Sequence, residues 1–356
     1  MAAKRTIMII TGSVLALLLL GALGLTSIYH SMLLPVDAGA AEKTVTVEIP
    51  AGAGTGEIAS ILKENGIIRN TWFFRLYSRW HGLDRNFIAG SYHLSPSMGL
   101  EEVVELICSG DVYRETEWFT IPEGFTIEQI AERLGSSGLV DEARFLDLSR
   151  QPSPDLMERF PFLQAIDDSN IEYVLEGYLF PDTYEIAAGA SEEEIIALML
   201  RRLETVYTEA YRQRAHELGL SMHQALTLAS IVEREGRVDR ERPLIAGVFH
   251  NRLAVNHPLQ SCATVQYVLG EVKEVLLNED LEIPSPYNTY LHAGLPPGPI
   301  AAPGEASIRA ALYPEKTEYF YFVYKEDGSG EHYFARTLSE HNANTERARQ
   351  NRNSAS

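Results

Sequence analysis

From Ile7 to Ile28 the chain carries no charged side chain, and Lys4 and Arg5 stand just before that run. An uncharged, apolar stretch of this length matches a bilayer-spanning helix. Basic residues on its N-terminal side keep that end in the cytoplasm and send the following chain across the membrane. "AGAA" at 38–41 contains an A-x-A pattern, but it lies too far past the apolar run for a leader cleavage site. The expectation is an uncleaved single-pass anchor: residues 1–6 a cytoplasmic tail, 7–28 a transmembrane helix and 29–45 a linker. The bulk of the chain is then extracytoplasmic.

Compared with itself, the chain shows one repeat. "IPAGAGTGEIASILKENGII" (49–68) and "IPEGFTIEQIAERLGSSGLV" (121–140) align without a gap, matching Ile49, Pro50, Gly52, Ile58, Ala59, Leu62 and Gly66 to Ile121, Pro122, Gly124, Ile130, Ala131, Leu134 and Gly138. Each copy reads as a short strand, a turn, and a helix with apolar residues at helical spacing, closed by a glycine. A unit this small seldom folds alone, so both copies are placed in one α+β region spanning 46–140. A strand–helix unit opening on I-P-x-G resembles the LysM-type carbohydrate-binding module, and that resemblance implies glycan contact.

Pro152, Pro154 and Pro161 mark 141–175 as a connecting segment. From residue 176 the texture turns mainly helical. Residues 192–217 read as one long amphipathic helix, Ser221 is an N-cap for the helix after it, and "RPLIAGVFHNRLAVN" reads as another. Pro- and Gly-rich loops follow at 285–304, then an aromatic strand "YFYFVY" that forms a hairpin with "HYFA". The fold class is α+β: an N-terminal transmembrane helix, small LysM-like α+β modules, and a mainly helical α+β domain over 176–350.

The balance of 30 Lys+Arg against 49 Asp+Glu, a net charge of -19, repels phosphate backbones and argues against nucleic acid as a partner. Cys108 and Cys262 are expected to be two separate buried thiols rather than a disulfide. No H-E-x-x-H or other tight ligand spacing predicts a metal site, no cofactor motif appears, and no G-x-S-x-G elbow marks a serine hydrolase.

The run "ASIVEREG" (229–236) ends a helical stretch in two glutamates and a glycine. Residues advance about 100° along a helix, so Glu233 and Glu235 cannot share a face, and Glu235 lies nearer the centre of the apolar stripe. Glu235 is thus aimed inward at a helix end, placed to hold a proton as a general acid, with Glu233 as the fallback. The alternative from the helix alone is a pair of solvated end-of-helix charges. The loops offer flat rings and hydrogen-bonding groups of the kind that line sugar sites: Tyr287, Asn288 and Tyr290 in one, Gln260, Ser261 and Thr264 in another.

"EGYLFPDTY" (176–184), "ASIVEREG", "VFHNRL" (248–253), "PLQSCATVQYVLG" (258–270), "SPYNTY" (285–290), "GLPPGPIAAPG" (294–304) and "HYFARTLSEHN" (332–342) occur in that order. The set resembles the endolytic murein transglycosylase (MltG/YceG-like) family. The resemblance implies a bacterial inner-membrane enzyme, a lyase that cuts β-1,4 bonds between N-acetylmuramic acid and N-acetylglucosamine in nascent peptidoglycan and leaves 1,6-anhydro ends. It also implies Glu235 as the single catalytic residue and 176–350 as the catalytic domain. Tyr178, Gln260, Ser261, Thr264, Tyr287, Asn288 and Tyr290 become candidate substrate-binding residues, and peptidoglycan synthases become candidate partners. Family members often carry S-D-P-T where this chain has Ser261, Cys262, Ala263 and Thr264. Two rival readings remain open at this point: a non-catalytic peptidoglycan-binding scaffold of the elongation or division machinery, and a glycan hydrolase using a second carboxylate such as Glu176 or Asp182.

Overall fold

The computed structural model describes residues 20–21, 23–40, 43–110, 112–167, 169–273 and 276–355. Most of the predicted span at 7–28 lies outside them, and among the described residues no helix is long and apolar enough to cross a membrane. The chain divides into two compact units, Met1–Glu115 and Thr116–Ser356.

In the first unit the elements run β1 (Val45–Ile49), α1 (Thr55–Glu64), α2 (Thr71–Trp80), β2 (Gly90–Leu94) and α3 (Leu100–Ser109). The two strands pair antiparallel with Val47 opposite Tyr92. Alternation along β1 points Val47 and Ile49 inward, where they meet Ile58 and Leu62 of α1, Phe74 of α2 and Val103 and Ile107 of α3. Each such aliphatic side chain contributes roughly 1.5–3 kcal/mol when fully buried. Asn70 starts α2 by accepting the Phe73 N–H.

The second unit opens on β3 (Thr116–Thr120), α4 (Ile127–Ser136), α5 (Glu142–Arg150), α6 (Pro154–Arg159) and β4 (Thr183–Ala187). It continues through α7 (Glu192–Val206), α8 (Glu209–Glu217), α9 (Met222–Glu235), α10 (Arg242–Ala254), α11 (Cys262–Leu269), α12 (Asn278–Leu281) and α13 (Glu305–Leu312). A hairpin of β5 (Tyr321–Tyr324) and β6 (His332–Ala335) precedes the last helix, α14 (Leu338–Ala355). Helix α9 is the central element, packed on α10 and α13. It begins with a capping box of Ser221 and Gln224 and buries Ala225, Leu226, Leu228, Ala229, Ile231 and Val232.

Both repeat copies adopt the same local structure. Helix α1 closes with Gly66 at φ 72°, whose N–H bonds the Lys63 carbonyl while the Ile67 N–H bonds Leu62; α4 closes with Gly138 at φ 73° through the same pair of bonds to Gly135 and Leu134. They stand in different units, however. Strand β3 pairs with β4 rather than with either earlier strand, and Ile121, Ile130 and Leu134 join the core of the second unit. The region drawn from the repeat as 46–140 is therefore divided at Glu115/Thr116. Residues 141–175 also fold with the second unit, supplying Phe145, Leu156 and Leu163 to its core.

The stretch 192–217 forms two helices rather than one. The Thr208 hydroxyl accepts the Tyr211 N–H and starts α8 afresh after Val206. Cys108 and Cys262 are free thiols in different units, and Cys262 is exposed rather than buried.

Candidate active site

Helix α9 delivers Glu235 as its last residue, 7% exposed. The apolar stripe that buries α9 carries the glutamate inward with it. Gly236 lets the chain leave tightly: a Cβ there would stand 2.8 Å from Arg242 Cγ and 3.0 Å from the Val232 carbonyl oxygen, closer than carbon packing allows.

Glu235 lines a cleft of about 1200 Å³ in the second unit, with Arg237, Arg252, Gln260, Cys262 and Tyr290 among its walls. The Ser261 hydroxyl donates to Glu235 Oε1 at 2.5 Å. Opposite, the Tyr324 hydroxyl donates to the backbone carbonyl of Glu235 at 2.5 Å, satisfying one of the carbonyls a helix end leaves without a partner. The glutamate is thus held by its side chain from the start of α11 and by its backbone from strand β5.

Ser261 is itself fixed from below. Its N–H donates to Thr289 Oγ1 at 3.1 Å, and Thr264 Oγ1 donates to the Ser261 carbonyl at 2.8 Å and lies 2.9 Å from Thr289 Oγ1. Gln260, at φ 46°, turns the chain into this arrangement and donates its N–H to the Thr289 carbonyl. From the other side Arg252, buried, sends Nη1 to the Leu259 carbonyl at 2.5 Å and Nε to the Phe320 carbonyl at 2.6 Å. Five donors on one planar group let it join the 258–261 turn to the hairpin.

The sequence-selected residues fall into three groups. Glu235, Gln260 and Tyr290 line the cleft, with Ser261 buried behind Glu235 and Thr264 buried directly under Ser261. Asn288 is turned away and spends its amide on the carbonyls of Leu281 and Ile283, which shapes the 285–290 loop. Tyr178 lies in the core, its hydroxyl 3.0 Å from His223 Nδ1, while His223 Nε2–H donates to the Pro297 carbonyl. Glu233, which the wheel set farther from the apolar stripe, has a side chain only 6% exposed: it accepts from Arg242 Nη1 at 2.9 Å and from the Gly304 N–H at 3.0 Å.

Cys262 puts its Sγ 3.1 Å from the Tyr290 hydroxyl. Although the residue keeps surface exposure, the protein packed around its sulfur desolvates the thiol and, with the nearby Glu235 carboxylate, pushes it up from its ordinary value. Among the described residues no cluster of three or more His, Cys, Asp or Glu is arranged to hold a metal ion.

The model of the YceG-like family matches residues 47–347. The chain belongs to this family. Among YceG-like relatives, the endolytic murein transglycosylase of Bacillus subtilis (strain 168) is 38% identical over 322 residues, 88% of this chain and 86% of the relative. The endolytic murein transglycosylase of Streptococcus pneumoniae (strain D39) is 33% identical over 335 residues; the match covers 88% of this chain and 59% of that longer relative. A crystal structure of a YceG-like protein from Listeria monocytogenes aligns with a TM-score of 0.58 and 38% identity, covering 85% of this chain and 99% of that one.

A smaller cavity of about 360 Å³ shares Arg234, Ala263, Gln266 and Val272 with the Glu235 cleft. Tyr287 lines this second cavity rather than the first. So does Glu176, almost wholly buried, whose Oε2 accepts from the Ile127 N–H at 3.2 Å. Burial pushes its carboxyl up to about 8, which leaves it largely neutral at physiological pH.

Two residues of this YceG-like site escaped notice in the sequence, Tyr324 and Arg252, and Thr289 was noted as a polar loop group but not chosen for the site. All three lie inside stretches that the sequence does mark, the aromatic strand, "VFHNRL" and "SPYNTY". Period-two alternation in a strand tells which residues share a face but not what that face meets, so Tyr324 could not be told apart from its neighbours.

Proposed function

We propose that the chain is an endolytic peptidoglycan lytic transglycosylase, cleaving N-acetylmuramic acid–N-acetylglucosamine β-1,4 bonds in nascent strands with Glu235 as its one catalytic carboxyl. The observation that carries this reading is Glu235 itself, held by Ser261 and Tyr324 at the wall of an open cleft in a family whose curated relatives bear that activity in their name. Ser261 occupies Oε1, which leaves Oε2 to address a substrate.

In the proposed reaction the Glu235 carboxyl gives its proton to the glycosidic oxygen as the C1–O bond of the muramic residue breaks. The C6 hydroxyl of the same residue then attacks C1, and its proton returns to Glu235. Atoms balance without water, and the product carries a 1,6-anhydro end. Because the attacking hydroxyl belongs to the sugar already being cleaved, proximity replaces the second carboxylate that most glycosidases need. Glu233, tied to Arg242 and Gly304, is a structural anion in this scheme.

The uncharged run from Ile7 to Ile28 supports a single-pass anchor in the inner membrane, with the catalytic unit on the periplasmic side beside the synthases that make new strands. The β1–α1–α2–β2 unit, which carries the first I-P-x-G copy, is the proposed LysM-like glycan contact.

The deciding experiment incubates uncrosslinked glycan strands with the chain and with its Glu235→Gln variant, and reads the products by mass spectrometry. Anhydro-muramic ends from the wild type alone support the proposal. Reducing ends would point to hydrolysis. Intact strands from both, with glycan binding retained, would leave a scaffold.

A further inference from the structure

Helix α2 turns an unusual face to solvent. Phe74, Tyr77 and Ser78 bury one side of it, yet Trp72, Leu76 and Trp80 are 66%, 39% and 75% exposed. Spaced four residues apart, these three form a single stripe along the helix, and Arg75 and Arg79 border it on one side. Among the described residues neither arginine makes an ion pair. Two largely exposed tryptophans on one helix face cost free energy that burial would recover, so the stripe calls for an occupant.

The position of the preceding chain identifies that occupant. Leu23, Leu25 and Ile28 in the helical residues 23–33 remain exposed, and contact with the folded unit begins at Tyr29, whose ring meets the Phe73 ring edge-on at 5.7 Å. Phe73 is the immediate neighbour of Trp72. Beyond Tyr29 the chain is clamped: Arg69 Nε donates to the carbonyls of Leu34 at 3.3 Å and Pro35 at 3.1 Å. The apolar segment therefore ends directly against the first turn of α2, with no slack between them.

We propose that the Trp72–Leu76–Trp80 face of α2 lies in the lipid headgroup layer of the bilayer, as an in-plane helix beside the anchor. The inference rests on the reading of residues 7–28 as a membrane anchor. Indole rings settle at the boundary between headgroups and acyl chains, where the ring is apolar and the N–H stays wet. Arg75 and Arg79 face the phosphates of anionic lipids, so a chain with a net charge of -19 presents a local cationic edge where the surface is negative. With two fixed points, the anchor and this face, the first unit lies on the membrane with a set orientation.

The test uses the full chain carrying Trp118→Phe, which leaves Trp72 and Trp80 as the only indoles. It is reconstituted into phosphatidylcholine–phosphatidylglycerol vesicles, with or without bromine near the top of the acyl chains. Bromine should lower tryptophan emission at least twofold, and Leu76→Asp, at an exposed position, should restore most of it. Equal emission with and without bromine, in vesicles from which alkaline carbonate does not strip the chain, overturns the interfacial face while leaving the anchor intact; a stripe that binds a protein partner instead gives this result. Quenching unchanged by Leu76→Asp also overturns it, since proximity alone would then suffice. A chain stripped from the vesicles by carbonate removes the anchor and, with it, this proposal.

Discussion

Ser261 Oγ donates to Glu235 Oε1 at 2.5 Å, and the same serine receives its own orientation from Thr264 and Thr289 in a layer of residues beneath the cleft. The glutamate therefore does not choose its rotamer alone. Its useful oxygen is set by a buried side chain that is itself fixed by its neighbours.

Ser261→Ala should lower turnover about ten- to a hundredfold, the range for losing a hydrogen bond to an ionisable group, while binding of intact strands changes little. Product formation against strand concentration separates the two effects. An unchanged maximal rate would show that Ser261 does not position the acid.

Tyr324→Phe removes only the hydroxyl that caps the Glu235 carbonyl. The expected cost is about 1 kcal/mol of stability, with a several-fold loss of rate as the end of α9 loosens. Thermal unfolding and anhydro-product release, measured on one preparation, check both. Loss of stability with full activity would argue that the hairpin does not hold the site.

Arg242→Met leaves Glu233 buried beside Gly304 without its cation, a change that typically costs about 3–5 kcal/mol. Glu233→Gln should be milder, because the amide oxygen can still accept from the Gly304 N–H. Protein that remains folded should cleave at close to the wild-type rate. A Glu233→Gln enzyme that folds fully but is inactive would transfer the catalytic role from Glu235 to Glu233.

Burial pushes Glu176 up to about 8, above its ordinary value of 4.5. Between those values the folded chain keeps a proton that the unfolded chain has released. Stability is therefore complete below the lower value and declines as pH rises toward the upper one, by about 1.4 kcal/mol per unit. Urea unfolding at several pH values should show this decline, and Glu176→Gln should flatten it. An identical slope in the variant would assign the effect to other groups.

Local features were the legible ones. The capping box of Ser221, the closing glycines of the two repeat copies and the inward aim of Glu235 all follow from spacing within a few residues. The break at Thr208 was missed: a threonine before Glu209 is an ordinary N-cap signal, but the continuous amphipathic pattern across it reads as one helix. Glu233 is different. Its burial depends on Arg242 in the next helix and on Gly304 much later in the chain, and no periodicity encodes a partner at that distance. The separation of the two repeat copies is likewise a property of pairing: β3 finds its partner in β4, beyond three intervening helices.

That pairing also sets an order of events during synthesis. The first copy can complete its two-stranded ladder as soon as Leu94 has emerged, whereas the second must wait, its strand unpaired, until Thr183 to Ala187 arrive. Through that interval β3 exposes an open edge, and Trp118 on it remains solvent-facing even in the finished fold. The same short motif thus begins a rapidly closing unit at one place in the chain and a slowly closing one at the other.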